Sequence, residues 1–354
     1  MRVLPPMSAQ LVSLSTAVPA FVLAQSEAEA AARAGFGPRF DAFERLAKVF
    51  SNAGIRHRHL ARPLDWYFGA LGWPERTEAF LEVAGDLFVE AASGALEQAG
   101  LAAGEVDTIV TVCSTGIATP SLEARAAGRL GFREDVERVP VFGLGCAGGV
   151  SGLAIASRLA DARPGSVVLM VTIELCSLAF RLDQLTKANI VATALFGDGA
   201  AACVLRAGGA GIAEVEASGQ KTWPDTLDIM GWSIDPQGFG VIFDRAIPPF
   251  AEEHLGRAVA EILGRAELTF GDVDRFVCHP GGTKVIAALE HALQTGEGAL
   301  DHERAVLADH GNMSAPTVLF VLDRVIRAGL PDRTVLTALG PGFTASCLSL
   351  KRAA

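Results

Sequence analysis

The chain is short of positive charge, has no long apolar run and carries no paired cysteine motif, and each lack removes a class of function. Lys and Arg number 30 against 40 Asp and Glu, a formal net charge of −10 over 354 residues. The dense cationic surface that a phosphate backbone requires is absent, so no nucleic acid is expected as a partner. Half of the residues are apolar, yet no stretch approaches the roughly 18 uninterrupted apolar residues of a membrane helix, so no membrane span is expected. Cys113, Cys146, Cys176, Cys203, Cys278 and Cys347 are scattered through the chain without the CxxC spacing of a zinc site or the density of a disulfide scaffold. That points to reduced thiols, a cytoplasmic setting and no bound metal, with five of the six cysteines serving as small buried hydrophobes. Pro5, Pro6 and Pro19 interrupt the N-terminal apolar residues and no small-residue cleavage site follows them, which argues against a signal peptide.

What the chain does have is an internal repeat. The run LAAGEVDTIV at 101–110 returns as LTFGDVDRFV at 268–277. Downstream, Gly145-Cys146 opens GCAGGVSGLAIASRLA and Gly311-Asn312 opens GNMSAPTVLFVLDRVI at nearly the same remove. The length exceeds one simple core and suits two domains of about 150 to 200 residues. Apolar spacing predicts a helix over 77–99 that stops at Gly100. A strand is expected over 108–113, then the polar loop STGIATPS, a helix, the strand RVPVFGL and a helix beginning at Cys146. Further strands read at 166–173 and 199–207, and TVLTALGPGFTASCLSL reads as two strands about a Gly-Pro-Gly turn. Their continuous apolar character predicts sheets buried on both faces. The small, flexible run at 206–211 marks the junction between an N-terminal half, 1–208, carrying Cys146, and a C-terminal half, 209–354, carrying His279 and Asn312. The expected class is α/β, with duplicated βα halves stacked in a five-layer αβαβα arrangement and the active residues where the halves meet.

Cys146 lies among glycines at an expected helix start. Unpaired backbone donors and the helix dipole there stabilise a thiolate, and a nearby imidazolium lowers the thiol pKa further, so a nucleophile at neutral pH is expected. The flanking glycines let an acyl thioester approach backbone amides that hold a developing oxyanion. The bland alternative is a packing cysteine. His279 ends the strand RFVC before Pro280-Gly281-Gly282 and should face a cleft; a structural histidine is the alternative. Asn312 offers a neutral amide donor suited to an enolate oxygen, or else an N-cap. His57, His59, His302 and His310 are expected to be solvated or capping.

Taken in order, GCAGG, ALFGDGAAA (194–202), HPGG (279–282), GNMSA (311–315) and GPGFT (340–344) resemble the signature of the type III polyketide synthases, the chalcone synthase family, over nearly the whole chain. The resemblance implies a thiolase-like fold, a homodimer, and acyl-CoA and malonyl-CoA as substrates, with no metal, flavin or nicotinamide cofactor. It implies that Cys146 carries the acyl group and that His279 and Asn312 serve decarboxylation and condensation. Phe196 and Phe239, the latter five residues before Asp244, match two gatekeeper phenylalanines. Cys176, Ala179 and Thr119 stand where the plant enzymes have two threonines and a methionine that crosses into the partner's cavity. Trp232, beside a cavity glycine position, and Ser314 complete the implied substrate pocket. The stretches CSTGIATPSL and ELCSLAFRLDQLTKANIVATALFGDG resemble bacterial synthases that make alkylpyrones or alkylresorcinols from fatty acyl starters. Arg45 and Lys48 match two of three coenzyme A-binding basic residues; the third falls on Asn52, with Arg56, Arg58 or Lys284 to compensate. A single-condensation ketoacyl synthase III-like enzyme would show HQAN and NTSAAS in place of HPGG and GNMSA. A Cys-His-Asn hydrolase and a non-catalytic acyl-binding homologue are the remaining alternatives.

Overall fold

A computed structural model describes residues 9–353, so Pro5 and Pro6 lie outside the described residues. Ala9–Ala17 form β1, and Phe21–Ala24 (β2) pairs with His57–Leu60 (β3) in a small separate ribbon. The N-terminal half continues with β4 (Thr108–Cys113), β5 (Glu137–Phe142), β6 (Val167–Leu175) and β7 (Asp198–Ala207), ordered β1-β7-β6-β4-β5. β4 and β6 are buried at every residue, which is why they read as unbroken apolar runs rather than alternating ones. The C-terminal half contributes β8 (Ala213–Thr222), a separate hairpin of β9 (Met230–Asp235) and β10 (Gly238–Phe243), then β11 (Arg275–Cys278), β12 (Arg333–Gly340) and β13 (Thr344–Arg352), ordered β8-β13-β12-β11. β12 and β13 meet at the Gly-Pro-Gly turn. Among the described residues, β1 and β8 join the two sheets edge to edge through two residue pairs, Gln10 with Glu214 and Leu11 with Ala213.

The helices are α1 (Gln25–Phe36), α2 (Phe43–Leu46), α3 (Lys48–Asn52), α4 (Trp73–Ala99), α5 (Leu122–Leu130), α6 (Gly148–Ala162), α7 (Lys187–Leu195), α8 (Ile247–Leu263), α9 (Thr283–Ala292), α10 (Asp301–His310) and α11 (Thr317–Gly329). α4 starts four residues earlier than the sequence suggested. Pro74 suits a first turn, where its missing N–H costs nothing, and the Glu75 carboxylate accepts from Gly72 N at 2.8 Å. It ends as expected at Gly100, whose φ of 67° is the left-handed cap.

Three cores separate the layers. Phe80, Leu87 and Phe88 of α4 pack on Ile109 and Val171 outside the first sheet. Val150 and Leu153 of α6, with Val318 and Leu319 of α11, fill the space between the sheets against Val112 and Met170 on one side and Leu336 and Leu348 on the other. Leu255 and Val259 of α8, with Ile286 and Leu289 of α9, cover the far side of the second sheet. The order helix, sheet, helix, sheet, helix is the expected five-layer α/β arrangement, and the repeat explains it: β4 and α6 of one half correspond to β11 and α11 of the other.

Candidate active site

Cys146, His279 and Asn312 come from three separate segments and line one enclosed cavity of about 20 Å³, whose other walls include Met230, Phe243, Ile247, Val285, Leu289 and Leu339. A space of that size accommodates about one water. Cys146 does not open α6, as the sequence suggested, but sits in a 3-10 turn, Gly145–Ala147, just ahead of it. The turn needs glycine at its first residue: Gly145 has a φ of 47°, and a Cβ there would meet Pro341 Cδ at 2.6 Å. The GPGFT turn is thereby packed directly on the cysteine loop. Ser114 Oγ accepts from Gly145 N at 3.0 Å.

His279 follows β11, and its backbone N–H donates to Thr337 O at 2.9 Å. Its ring is buried and neither ring nitrogen has a hydrogen-bond partner, so both are available to whatever enters the cavity. Asn312 is not an N-cap. It lies five residues before α11 and bridges to Phe196, with Asn312 N donating to Leu195 O at 2.8 Å and Gly197 N donating to Asn312 O at 3.0 Å. Ser314 N donates to Asn312 Oδ1 at 2.8 Å, which fixes the amide with its carbonyl toward Ser314 and its Nδ2 toward Gly281 O at 3.4 Å. Ser314 thus orients Asn312 through its backbone N–H, while its side chain interacts with the Cys146 thiol.

The electrostatics reverse one expectation. Burial pushes the Cys146 thiol up to about 12, with Ser314 and Asn312 opposing and Glu174 reinforcing. Desolvation of the charged form is the largest cause. The same burial lowers His279 to about 4, so the empty site holds a neutral thiol beside a neutral imidazole. Nearby Glu174, fully buried, accepts from Ser114 N at 3.0 Å and Thr115 Oγ1 at 2.8 Å, and desolvation raises it to about 7.

From this cavity a cleft of about 680 Å³ leads to the surface, sharing Phe243, Ile247, Gly281 and Val285 with it. Arg45, Lys187, Arg245 and Lys284 line the cleft, with Asn52. Of the basic residues expected there, Arg45 and Lys284 are present, whereas Lys48 is exposed on α3 and does not line it. Arg56 is turned away, its side chain 69% exposed and paired with Asp309. Lys187 and Arg245 were missed, because they come from segments far apart in sequence and neither lies in a basic run.

The aromatic positions are also redistributed. Phe196 is buried beside the cavity, its ring 6.2 Å from Phe243 and 6.2 Å from Trp232. Phe239 lies beyond Trp232, at 5.8 Å from it and 5.1 Å from Trp73, and it is Phe243 that walls the cavity. Both belong to β10, where residues two apart share a face and four apart stand about 13 Å from one another. Composition alone does not choose between them. Cys176 and Ala179 form a buried 3-10 turn after β6 and line neither the cavity nor the cleft. Thr119 is in an exposed loop beside Ile117, which is 54% exposed. His59 and His310, expected to be solvated or capping, stack at 5.7 Å, with His310 also packed on Phe320.

Comparison with known proteins gives a consistent result. A family model described as chalcone and stilbene synthases, N-terminal domain, matches residues 6–209, and its C-terminal counterpart matches 214–353. The chain is 43% identical over 314 residues to a 1,3,6,8-tetrahydroxynaphthalene synthase of Streptomyces peucetius subsp. caesius, covering 86% of this chain and 83% of that one. It is 35% identical over 357 residues to a putative chalcone synthase of Bacillus subtilis, covering 96% and 97%. The crystal structure of the tetrahydroxynaphthalene synthase of Streptomyces coelicolor A3(2), a bacterial type III polyketide synthase, superposes with a TM-score of 0.92 at 29% identity, covering 98% of this chain and 99% of that one.

Proposed function

The chain belongs to the chalcone and stilbene synthase family and is a type III polyketide synthase, an acyltransferase; from that premise we propose how its own residues divide the reaction. The observation that carries the reading is the convergence of Cys146, His279 and Asn312 on one apolar cavity that opens past Phe243 into a cleft lined by four cations. Coenzyme A thioesters are the substrates, their phosphates held by Arg45, Lys187, Arg245 and Lys284. The Cys146 sulfur attacks the acyl carbonyl as its proton passes to the neutral His279 imidazole, which returns it to the departing sulfur, so that the C–S bond to coenzyme A breaks and coenzyme A leaves as the thiol. Malonyl-CoA then loses carbon dioxide, and the electron pair of the broken C–C bond becomes an enolate. Its oxygen accepts hydrogen bonds from a neutral His279 N–H and from Asn312 Nδ2. The enolate carbon attacks the Cys146 thioester, a C–C bond forms, the C–S bond breaks, and the extended chain is free to return for another round. A neutral imidazole suits this work, because it donates a hydrogen bond without being acid enough to quench the carbanion.

The finer reading is a medium to long fatty acyl starter, giving alkylpyrones or alkylresorcinols. Its support is the aliphatic wall of Ile247, Val285, Leu289 and Leu339 beside Cys146, where each buried methylene contributes up to about 0.8 kcal/mol. A second reading has its own observations: a cavity of only about 20 Å³ and 43% identity to a relative named for a compact polyhydroxylated naphthalene. Such a product carries no alkyl tail and calls for no fatty starter. Incubation with labelled malonyl-CoA, alone and with acetyl, coumaroyl and palmitoyl starters, decides by mass spectrometry. Malonyl-only product with no gain from palmitoyl-CoA would rule out the fatty reading.

We further propose a cytoplasmic homodimer. The free state of all six cysteines supports the compartment, and among the described residues no helix is long and apolar enough to cross a membrane. Among the described residues no strand pairs with the outer edge of β5, Phe142 at its end is 56% exposed, and the nearby Ser114–Ser121 loop presents Ile117. An open apolar edge of this kind calls for a partner. Sedimentation at micromolar concentration should give twice the chain mass.

A further inference from the structure

Arg58 stands on β3 outside the cavity with 0% exposure, and a buried guanidinium is costly unless its donors are met. Nη1 finds its acceptors in the backbone framework of the active site, and Nη2 finds one in the Gln25 side chain. Nη1 donates to the carbonyls of Thr193 at 2.7 Å and Phe196 at 3.0 Å, at the C-terminal end of α7, where a helix leaves carbonyls unpaired and a cation is favoured. Nη2 donates to Gln25 Oε1, and Gln25 Nε2 donates in turn to Phe50 O at 3.0 Å and Ala194 O at 3.1 Å. The next residue, Gly197, is the one whose N–H meets Asn312 O, while Leu195 O receives Asn312 N. Gly311 completes the joint. With a φ of 68°, it would place a Cβ 2.8 Å from Leu195 O and 3.6 Å from Arg58 Cβ.

We infer that Arg58 is a positioning residue for decarboxylation: it braces the backbone carrying Phe196 and, through the bridge at Leu195 and Gly197, the amide of Asn312. Burial brings its pKa down to about 10, with the Asp198 carboxylate holding it up, so the guanidinium stays charged at neutral pH. Its reach does not include Cys146. Starter loading and malonyl decarboxylation should therefore respond differently to its loss.

This inference rests on the proposed role of Asn312. The full-length enzyme carrying Arg58→Met is compared with the unmodified one by intact mass for starter loading on Cys146 and by carbon dioxide release from malonyl-CoA. Loading should stay within about twofold while the kcat of decarboxylation falls about a hundredfold, the scale of a misplacement of roughly 1 Å. The KM for malonyl-CoA should barely move, and Arg58→Lys should regain part of the rate because an ammonium can donate to the same carbonyls. Parallel loss of both activities, unchanged decarboxylation, or a change in KM alone would overturn the inference. Should Arg58→Met not fold, Gln25→Ala must show the same split at smaller size, and equal losses in both assays there overturn it as well. An unmodified enzyme that releases no carbon dioxide refutes the site reading itself, whereas full release by Arg58→Met refutes only the role given to Arg58.

Discussion

Because burial alone holds His279 at about 4, the acid limb of malonyl decarboxylation should lie far below the usual histidine range. Holding an imidazole at about 4 rather than its ordinary 6.5 is worth about 3 kcal/mol. The sign follows from which state binds the proton. As pH falls through 6.5 the unfolded chain takes up a proton on this residue and the folded chain does not. The fold therefore loses up to about 3 kcal/mol between pH 6.5 and 4, and nothing above that window. His279→Gln removes this component while leaving a neutral donor in place. Other buried groups titrate too: Glu174 and Asp198 are both raised to about 7, and His310 is lowered to about 4, so the absolute stability curve mixes several terms. The difference between the unmodified protein and His279→Gln cancels them. Urea unfolding of both from pH 4 to 8 should give a difference that is flat above pH 7 and shifts by about 3 kcal/mol below it, in favour of the variant. Carbon dioxide release by a Cys146→Gln background should stay level down to about pH 5. A limb at pH 6 to 7, or a flat stability difference throughout, would show that the imidazole is solvated or paired and would refute the neutral-donor mechanism.

Cys146→Ala should abolish covalent loading, read by intact mass, because the other five cysteines lie outside the cavity. Cys146→Gln should keep malonyl decarboxylation and lose condensation, and adding His279→Ala or Asn312→Ala to it should remove carbon dioxide release. Lys187→Glu with Arg245→Glu should raise the KM for coenzyme A thioesters without lowering kcat, an effect that shrinks as salt screens the cleft; an unchanged KM would place the phosphates elsewhere. Leu319→Ala, between the two sheets, should cost about 2–5 kcal/mol of stability by urea denaturation, with loading by the folded fraction unaffected.

The parts of this molecule visible in its sequence are those set by local chemistry. β4 and β6 announce themselves as unbroken apolar runs because both faces are covered, and the GPG turn is written in its residue types. The repeat placed Cys146 and Asn312 in corresponding loops of the two halves, with His279 at the end of the repeated strand of the second, so their meeting where the halves join was legible from the duplication. What stayed hidden depends on distance in space. Phe239 and Phe243 lie on the same face of β10, and only the seating of the hairpin decides that the second walls the cavity. Lys187 begins α7 and Arg245 follows β10, and neither resembles half of a binding site until the cleft joins them to Arg45 and Lys284. Ala179 and Cys176, plausible as pocket residues by position, are buried in the turn after β6, where Cys176 packs in the cluster that holds Leu195, Phe196 and Ile247, and neither lines the cavity or the cleft.

Burial works against the low thiol pKa expected for Cys146, and the direction bears on the chemistry. A helix terminus lowers a cysteine pKa by about the energy of a partial charge, roughly 0.3–2 kcal/mol, whereas burying the thiolate in an aliphatic cavity costs more. Cys146 sits one turn before α6, in such a cavity, and desolvation prevails. The resting enzyme is then uncharged at its centre, and charge appears only when substrate arrives: a thiolate passing into a neutral thioester, then an enolate met by His279 and the Asn312 amide. A site built this way makes the neutral donors, rather than a standing ion pair, the feature on which catalysis turns. The backbone bridge that holds Asn312 to Phe196 therefore matters as much as the identity of the cysteine.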